Sequence, residues 1–423
     1  MSVGLPAVLS AYGASVSVMD TPFIPYEEIE VGKPVPFSVY NARGRLLIEE
    51  GEVVATARQR SLLIAEGATV QRPGEEPPVP EEEDAADAEA YDEDDEEAED
   101  EGPIFRTLRP EAPKQKHFNP FQEMERISAI TSKAFKAFKG GQKNFASRII
   151  RLAYRIDTLT QYDPHAMIAG ALTTRNLSYA INHVQEMAVL CSALAGKAGM
   201  EEQERIDVTC AALTCNVGML RLQERLEGFS GEISEKVREA LREHPRRSHD
   251  ILRSMRDTTE GWLQAVLYHH ERLDGKGYPG GAKGKAIPET VFPIALADSY
   301  LALVVPRAHR NALYPPRALE YVEQQAGKAW PEEWTKRLSE LVGQFPPGTY
   351  LKLSDRRVAM AVKPSGRDPA RPIVAIAIEA HGSRVHRDQI RDLSETKEPT
   401  ITETINPEDL SAPINRAMIC GYE

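Results

Sequence analysis

Between residues 75 and 101 the chain carries seventeen Asp or Glu and neither Lys nor Arg, with Pro77, Pro78 and Pro80 near its start. Such a run repels itself and has no apolar surface to bury, so it cannot join a core and must divide the chain. It also dominates the charge: without those seventeen carboxylates the formal net charge of −13 becomes +4. The plain reading is a solubilising linker over residues 73–104. The sharper one is an electrostatic mimic that occupies a basic surface of this protein or of a partner. Both stand at this level.

With 423 residues there is room for one main domain and one or two smaller ones. Residues 1–22, uncharged up to position 19 but broken by Pro6, Gly13 and several serines, read as a disordered start rather than a signal peptide. Cys191, Cys210, Cys215 and Cys420 have no CxxC spacing and no secreted-domain density, which implies reduced thiols and a cytoplasmic protein. No uncharged apolar run reaches membrane-spanning length. Residues 23–72 form a small α+β domain. Strand-like runs, Val35–Tyr40 with Arg45–Ile48 and Glu50–Val54, flank an Asn41–Gly44 turn, and a helix follows over Thr56–Glu66.

Beyond the acidic run the pattern becomes helical. Connecting helices fill 105–162, with Ile127, Ile130, Phe135, Phe138, Phe145, Ile149, Leu152, Ile156 and Leu159 at helical spacing and a break at Gly140-Gly141. The Lys and Arg on their other faces are a solvated surface by default, with a phosphate-rich ligand or the acidic linker as the alternatives. Nucleic acid is excluded because no aromatic platform or recognised motif accompanies them. Residues 163–345 predict an all-helical bundle, with helices over 183–199, 203–215, 231–242, 246–256 and 259–270. A small β subdomain follows over 346–386, then an extended tail over 387–423 with one helical turn near Pro407. The fold class is therefore mainly α, a helical bundle between a small α+β domain and a small β subdomain.

Chemistry concentrates at His269-His270-Glu271-Arg272-Leu273-Asp274-Gly275-Lys276-Gly277-Tyr278-Pro279-Gly280-Gly281. Two adjacent imidazoles can reach one cation, and Glu271 and Asp274 are carboxylates placed to orient them from behind. The glycines allow a tight turn and close backbone approach to a ligand. This run resembles the HHExxDGxGYP signature of the HD-GYP family, a branch of the HD metallohydrolases that hydrolyses cyclic di-GMP.

The resemblance implies further metal ligands in a fixed order. His183 matches the early His, His244-Pro245 the His-Pro element, and Asp298 the late Asp, so the implied metal set is His183, His244, His269, His270 and Asp298. The HD pair itself departs: Cys215, Asn216 and Met219 stand where the family has His, Asp and Lys. Asn is neutral and cannot bridge two dications, Cys is a softer ligand, and Met removes a phosphate-stabilising cation. Losing even ~4 kcal/mol of transition-state stabilisation costs roughly a thousandfold in rate. Little or no phosphodiesterase activity is expected, with one divalent ion (Fe, Mn or Zn) held by the remaining ligands, and Cys215 as an additional donor to weigh. The dipeptide His249-Asp250 reads as a solvated helical pair rather than the metal pair.

Arg307 and Arg310 match the family's arginines after the late Asp, where they could clamp a phosphate or be ordinary surface charge. The reading is a catalytically degenerate regulator. It would bind cyclic di-GMP or, through Gly277, Tyr278 and Pro279, a signalling protein such as a diguanylate cyclase domain. The alternative is a weakly active phosphodiesterase with a rearranged site.

Overall fold

The structure is a computed structural model that describes residues 29–41, 46–54, 63, 67–71, 118–141, 144–175, 177–226, 234–305, 313–385, 388–406, 409–410 and 414–422. It divides into two compact units, Met1–Leu108 and Arg109–Glu423. The expected disordered start, the acidic linker and most of the Thr56–Glu66 helix lie outside the described residues, as do Arg307 and Arg310.

In the first unit β1 (Ser38–Asn41) pairs antiparallel with β2 (Leu46–Ile48) and β3 (Gly67–Gln71), in the order β2-β1-β3. Ile29, Val35, Phe37, Val39, Ile48, Val54 and Leu63 form its core. The turn expected over Asn41–Gly44 lies, after Asn41, outside the described residues. The third strand corrects the expectation of a single strand pair: Val70 lies opposite Val39, but the strand is too short to show alternation in the sequence.

The second unit is mainly helical. Helices α1 (Pro120–Lys139), α2 (Phe145–Tyr162) and α3 (Pro164–Thr173) lead to α4 (Tyr179–Lys197), which is buried on nearly every side. A helix apolar all round belongs at the centre of a bundle, and α4 packs on α2, on α5 (Glu202–Thr214) and on α9 (Val291–Val304). Its buried polar residues tie it to these neighbours, because an unpartnered polar group in the core is costly. Gln185 accepts from Ser128 (3.0 Å), and Ser192 donates to Asp157 (2.7 Å). Asp157 also receives Arg205 of α5 at 2.9 Å, so one buried carboxylate fastens α2, α4 and α5 together.

A 3-10 turn (Val217–Met219) and α6 (Leu220–Leu226) precede α7 (Glu235–Arg253) and α8 (Glu260–Tyr268). Trp262 of α8 is fully buried and donates its indole N–H to Thr214 of α5 at 2.8 Å, which fixes where α8 ends and hence where His269 begins. Helix α7 corrects the expectation of two helices separated near His244: it runs unbroken through Pro245. Helices α10 (Pro315–Gln324) and α11 (Glu332–Val342) complete the bundle.

Five antiparallel strands follow: β4 (Tyr350–Leu353), β5 (Val358–Lys363), β6 (Ile373–Ile378), β7 (Ile390–Asp392) and β8 (Ile401–Ile405), ordered β7-β6-β5-β4-β8. The expected extended tail is thus corrected, since it supplies both edge strands and then α12 (Arg416–Ile419). Ile401 packs against one core cluster and Ile405 against the other, and Lys352 reaches Glu403 across the strands at 2.7 Å. The sheet is covered on both sides, which explains the unbroken apolar run of β6. Val374 and Ile376 face Leu351 and Leu353; Ala375 and Ala377 join Tyr350, Met360, Phe121 of α1 and Ile419 of α12.

Candidate metal centre

Pro245 shapes the site from within α7. A proline at that position has no N–H for the carbonyl four residues back, that of Leu241. His244 takes up this carbonyl with Nδ1–H at 2.6 Å. His269, at the C-terminal cap of α8, likewise donates Nδ1–H to the carbonyl of Val266 at 2.7 Å. Each carbonyl can only accept, so both neutral rings carry their proton on Nδ1 and present a bare Nε2. The two Nε2 atoms face each other at 3.2 Å.

Two lone pairs at that distance repel each other unless a cation lies between them. Nitrogens around a four-coordinate ion at bond lengths of ~2.0–2.1 Å are separated by about 3.3 Å, so this pair already has the spacing of one edge of a coordination shell. His270 completes the group: ligand atoms of His244, His269 and His270 all lie within 4.8 Å of one another. Asp298 on α9 is the adjacent anion, with Oδ2 at 3.8 Å from His270 Nδ1. The three imidazoles therefore fit one divalent ion, with the Asp298 carboxylate as the neighbouring negative charge. Such an ion would polarise a phosphoryl oxygen and acidify a bound water.

The electrostatics agree with neutral ligands. Burial, then the charge of His270, depresses His244 to about 3. Burial and the neighbouring imidazoles hold His269 well below its ordinary value, and burial lowers His270 despite Asp298. For Asp298 burial acts upward, but the His183 hydrogen bond and the surrounding imidazoles outweigh it and keep the carboxylate ionised.

His183 stands apart from the three-histidine group. Its Nε2–H donates to Asp298 Oδ1 at 3.0 Å, its ring stacks on Tyr179 at 5.3 Å, and its buried Nδ1 has no hydrogen-bond partner. It therefore orients Asp298 from behind. Cys215 is fully buried at the end of α5, where its thiol turns to the Ala212 carbonyl at 3.7 Å. Burial, and then the charge of Asp298, pushes that thiol well above its ordinary range, so it stays protonated. Asn216 is buried at the start of the 3-10 turn and Met219 is half-buried at its end. Among the described residues, Cys215 does not join the histidine group.

Glu271 and Asp274 do not orient the imidazoles, contrary to the sequence expectation; backbone carbonyls do. Glu271 Oε1 accepts from the N–H groups of Gly280 (2.6 Å) and Gly281 (2.9 Å), while Tyr278 N–H donates to the His270 carbonyl at 3.2 Å. Asp274 pairs with Arg272 at 3.0 Å and caps the Lys276 N–H. The segment from His270 to Gly281 is thereby closed on itself. Gly277 is required by this packing: a Cβ there would lie 2.5 Å from the Glu271 Cα and the His270 oxygen. The Tyr278 ring lies 4.5 Å from that of His270, so Tyr278 borders the metal centre. His249 pairs with Asp250 at 3.0 Å; Asp250 is exposed, whereas the His249 ring is mostly covered.

A three-imidazole site built from the middle of α7 and the C-terminal end of α8 defines a candidate metal-binding helical domain. Residues 167–331 match the HD domain family. That segment resembles the HD-GYP branch of the family, with Cys215-Asn216 where that branch has the HD pair. It is 22% identical to the cyclic di-GMP phosphodiesterase PA4108 of Pseudomonas aeruginosa, over 63% of this chain and 64% of that one. It is 28% identical to the cyclic di-GMP phosphodiesterase response regulator RpfG of Xanthomonas campestris, over 38% of this chain and 45% of that one. Among solved structures it is similar to Bd1817, an HD-GYP protein of Bdellovibrio bacteriovorus, with a TM-score of 0.45 and 13% identity, over 74% of this chain and 95% of that one. The chain thus spans less than two thirds of the length of these two curated relatives. Among the described residues, no helix is long and apolar enough to cross a membrane.

Proposed function

We propose that this protein acts in cyclic dinucleotide signalling as a catalytically degenerate HD-GYP regulator that holds one divalent ion and does not hydrolyse its ligand at a useful rate. The observation that carries this reading is the buried Cys215 thiol, turned to the Ala212 carbonyl where the family has a metal-binding His. Beside it, neutral Asn216 cannot bridge two cations. A single ion on His244, His269, His270 and Asp298 leaves one phosphoryl contact where two-metal hydrolysis uses two. Cyclic di-GMP is the ligand the relatives' names point to, and others among them are named as 3'3'-cGAMP phosphodiesterases. Arg307 and Arg310 belong to the proposed ligand site, and Gly277, Tyr278 and Pro279 to a proposed surface for a signalling partner such as a diguanylate cyclase domain.

The competing reading, slow hydrolysis at a rearranged centre, draws on the intact three-histidine group. Metal analysis of anaerobically purified protein decides between them, paired with turnover of cyclic di-GMP and 3'3'-cGAMP in added manganese or ferrous ion. About one ion per chain and no turnover is the expected result. Two ions with turnover would overturn it.

A further inference from the structure

A cyclic dinucleotide carries two phosphodiesters, and a single bound ion can meet only one of them directly. The cation that the family places after the HD pair is absent here, because Met219 occupies that position. We propose that Arg242 and Arg246 of α7 form a phosphate clamp beside the Gly-Tyr-Pro loop that receives the second phosphodiester of a bound cyclic dinucleotide. This rests on the ligand-binding reading above.

The two arginines are four residues apart on one helix and so lie on the same flank. Arg246 donates from Nη2 to the Pro279 carbonyl at 3.3 Å, which pins its guanidinium against the loop while half of the side chain stays in solvent. Arg242 is exposed, one turn before Arg246 on α7. Among the described residues Arg242 has no carboxylate partner. Arg246 forms a loose ion pair with Glu243 at 3.8 Å, beyond hydrogen-bond length, so its guanidinium N–H groups are not taken up by that carboxylate. The carboxylates of the loop itself are already engaged, Glu271 by Gly280 and Gly281, and Asp274 by Arg272. Arg242 and the guanidinium donors of Arg246 not used on Pro279 are therefore available to an anion at this rim of the metal centre. A guanidinium fork suits the paired oxygens of a phosphodiester, and pinning one of the two reduces the ordering needed on binding. Arg247 leaves α7 on the other flank, next to Gly218, and offers an internal control.

Titration of the full chain with cyclic di-GMP, at low and at high salt, tests the clamp. R242A/R246A should bind at least tenfold more weakly than wild type and lose much of the salt dependence, with its metal content unchanged. R247A should bind like wild type. Wild-type affinity in R242A/R246A would overturn the clamp while leaving the ligand reading in place, and weakening confined to R247A would overturn it equally. No binding by wild type would remove both.

Discussion

His244 and His269 direct bare Nε2 atoms at each other across 3.2 Å, each ring held by a backbone carbonyl through Nδ1. The metal-binding form is thus built before any ion arrives, and the cost of that arrangement falls on acid stability. In the unfolded chain histidine titrates near 6.5, whereas burial holds His244 neutral down to about 3. Between those limits the unfolded state binds more protons, so stability falls as pH drops from about 6.5 toward 3. At pH 5 each such histidine costs about 2 kcal/mol. Asp298 is depressed as well, but its own loss begins only below the ordinary Asp range near pH 4. Metal-free protein should therefore melt several degrees lower at pH 5 than at pH 7, and saturating zinc should reduce that drop. An unchanged melting temperature would contradict the buried neutral histidines.

Cys215 and Asn216 make opposite demands on two kinds of variant. Cys215→Ser keeps the size of a side chain whose thiol faces Ala212, so the bound metal should remain at about one ion per chain. Loss of that ion would identify the sulfur as a ligand. Cys215→His, Asn216→Asp and Met219→Lys together restore the family's donors beside the three histidines. The bound metal should then approach two ions per chain, and cyclic di-GMP turnover should rise by at least a hundredfold. Continued inactivity with two ions bound would place the block elsewhere in the pocket.

The side-chain chemistry of the site is legible because it is written in residue types: His244-Pro245, His269-His270 and Asp298 stand in the order the resemblance implies, and the structure gathers His244, His269 and His270. What holds them is not. Leu241 and Val266 act through backbone carbonyls, which any residue would supply at those positions. Pro245 suggests a helix break, yet α7 continues because the His244 side chain satisfies the carbonyl that the missing N–H leaves free. The tail read as extended because β7 and β8 are short edge strands with polar faces, and their partners lie far away in the chain. The role of Glu271 was misjudged for a similar reason, since its acceptors' partners are the N–H groups of glycines nine and ten residues on.

Glu271 closes the Gly-Tyr-Pro loop through two charge-assisted hydrogen bonds, each of which outweighs a neutral one. Glu271→Ala leaves the Gly280 and Gly281 N–H groups without their acceptor, at a cost of roughly 2–3 kcal/mol. Glu271→Gln retains a carbonyl oxygen and should lose less. The loop should become sensitive to trypsin at Lys276 and Lys283 in the Ala variant first, Gln second and wild type last. Equal cleavage of all three would show that the carboxylate does not hold the loop.

Pro245 offers the most specific test of how the centre is tuned. Pro245→Ala supplies an N–H to the Leu241 carbonyl and regularises α7, so the helix itself should not be weakened. The same N–H competes with His244 Nδ1 for that carbonyl. Without its single acceptor the ring is free to exchange tautomers and to rotate, and orienting partners of this kind are worth 10- to 100-fold in metal affinity. The variant should therefore keep or slightly raise its metal-free melting temperature while binding zinc at least tenfold more weakly, measured by competition with a chelator. A parallel fall in stability and affinity would mean that Pro245 serves packing alone, whereas weaker zinc binding by an equally stable fold would assign it the setting of the His244 tautomer.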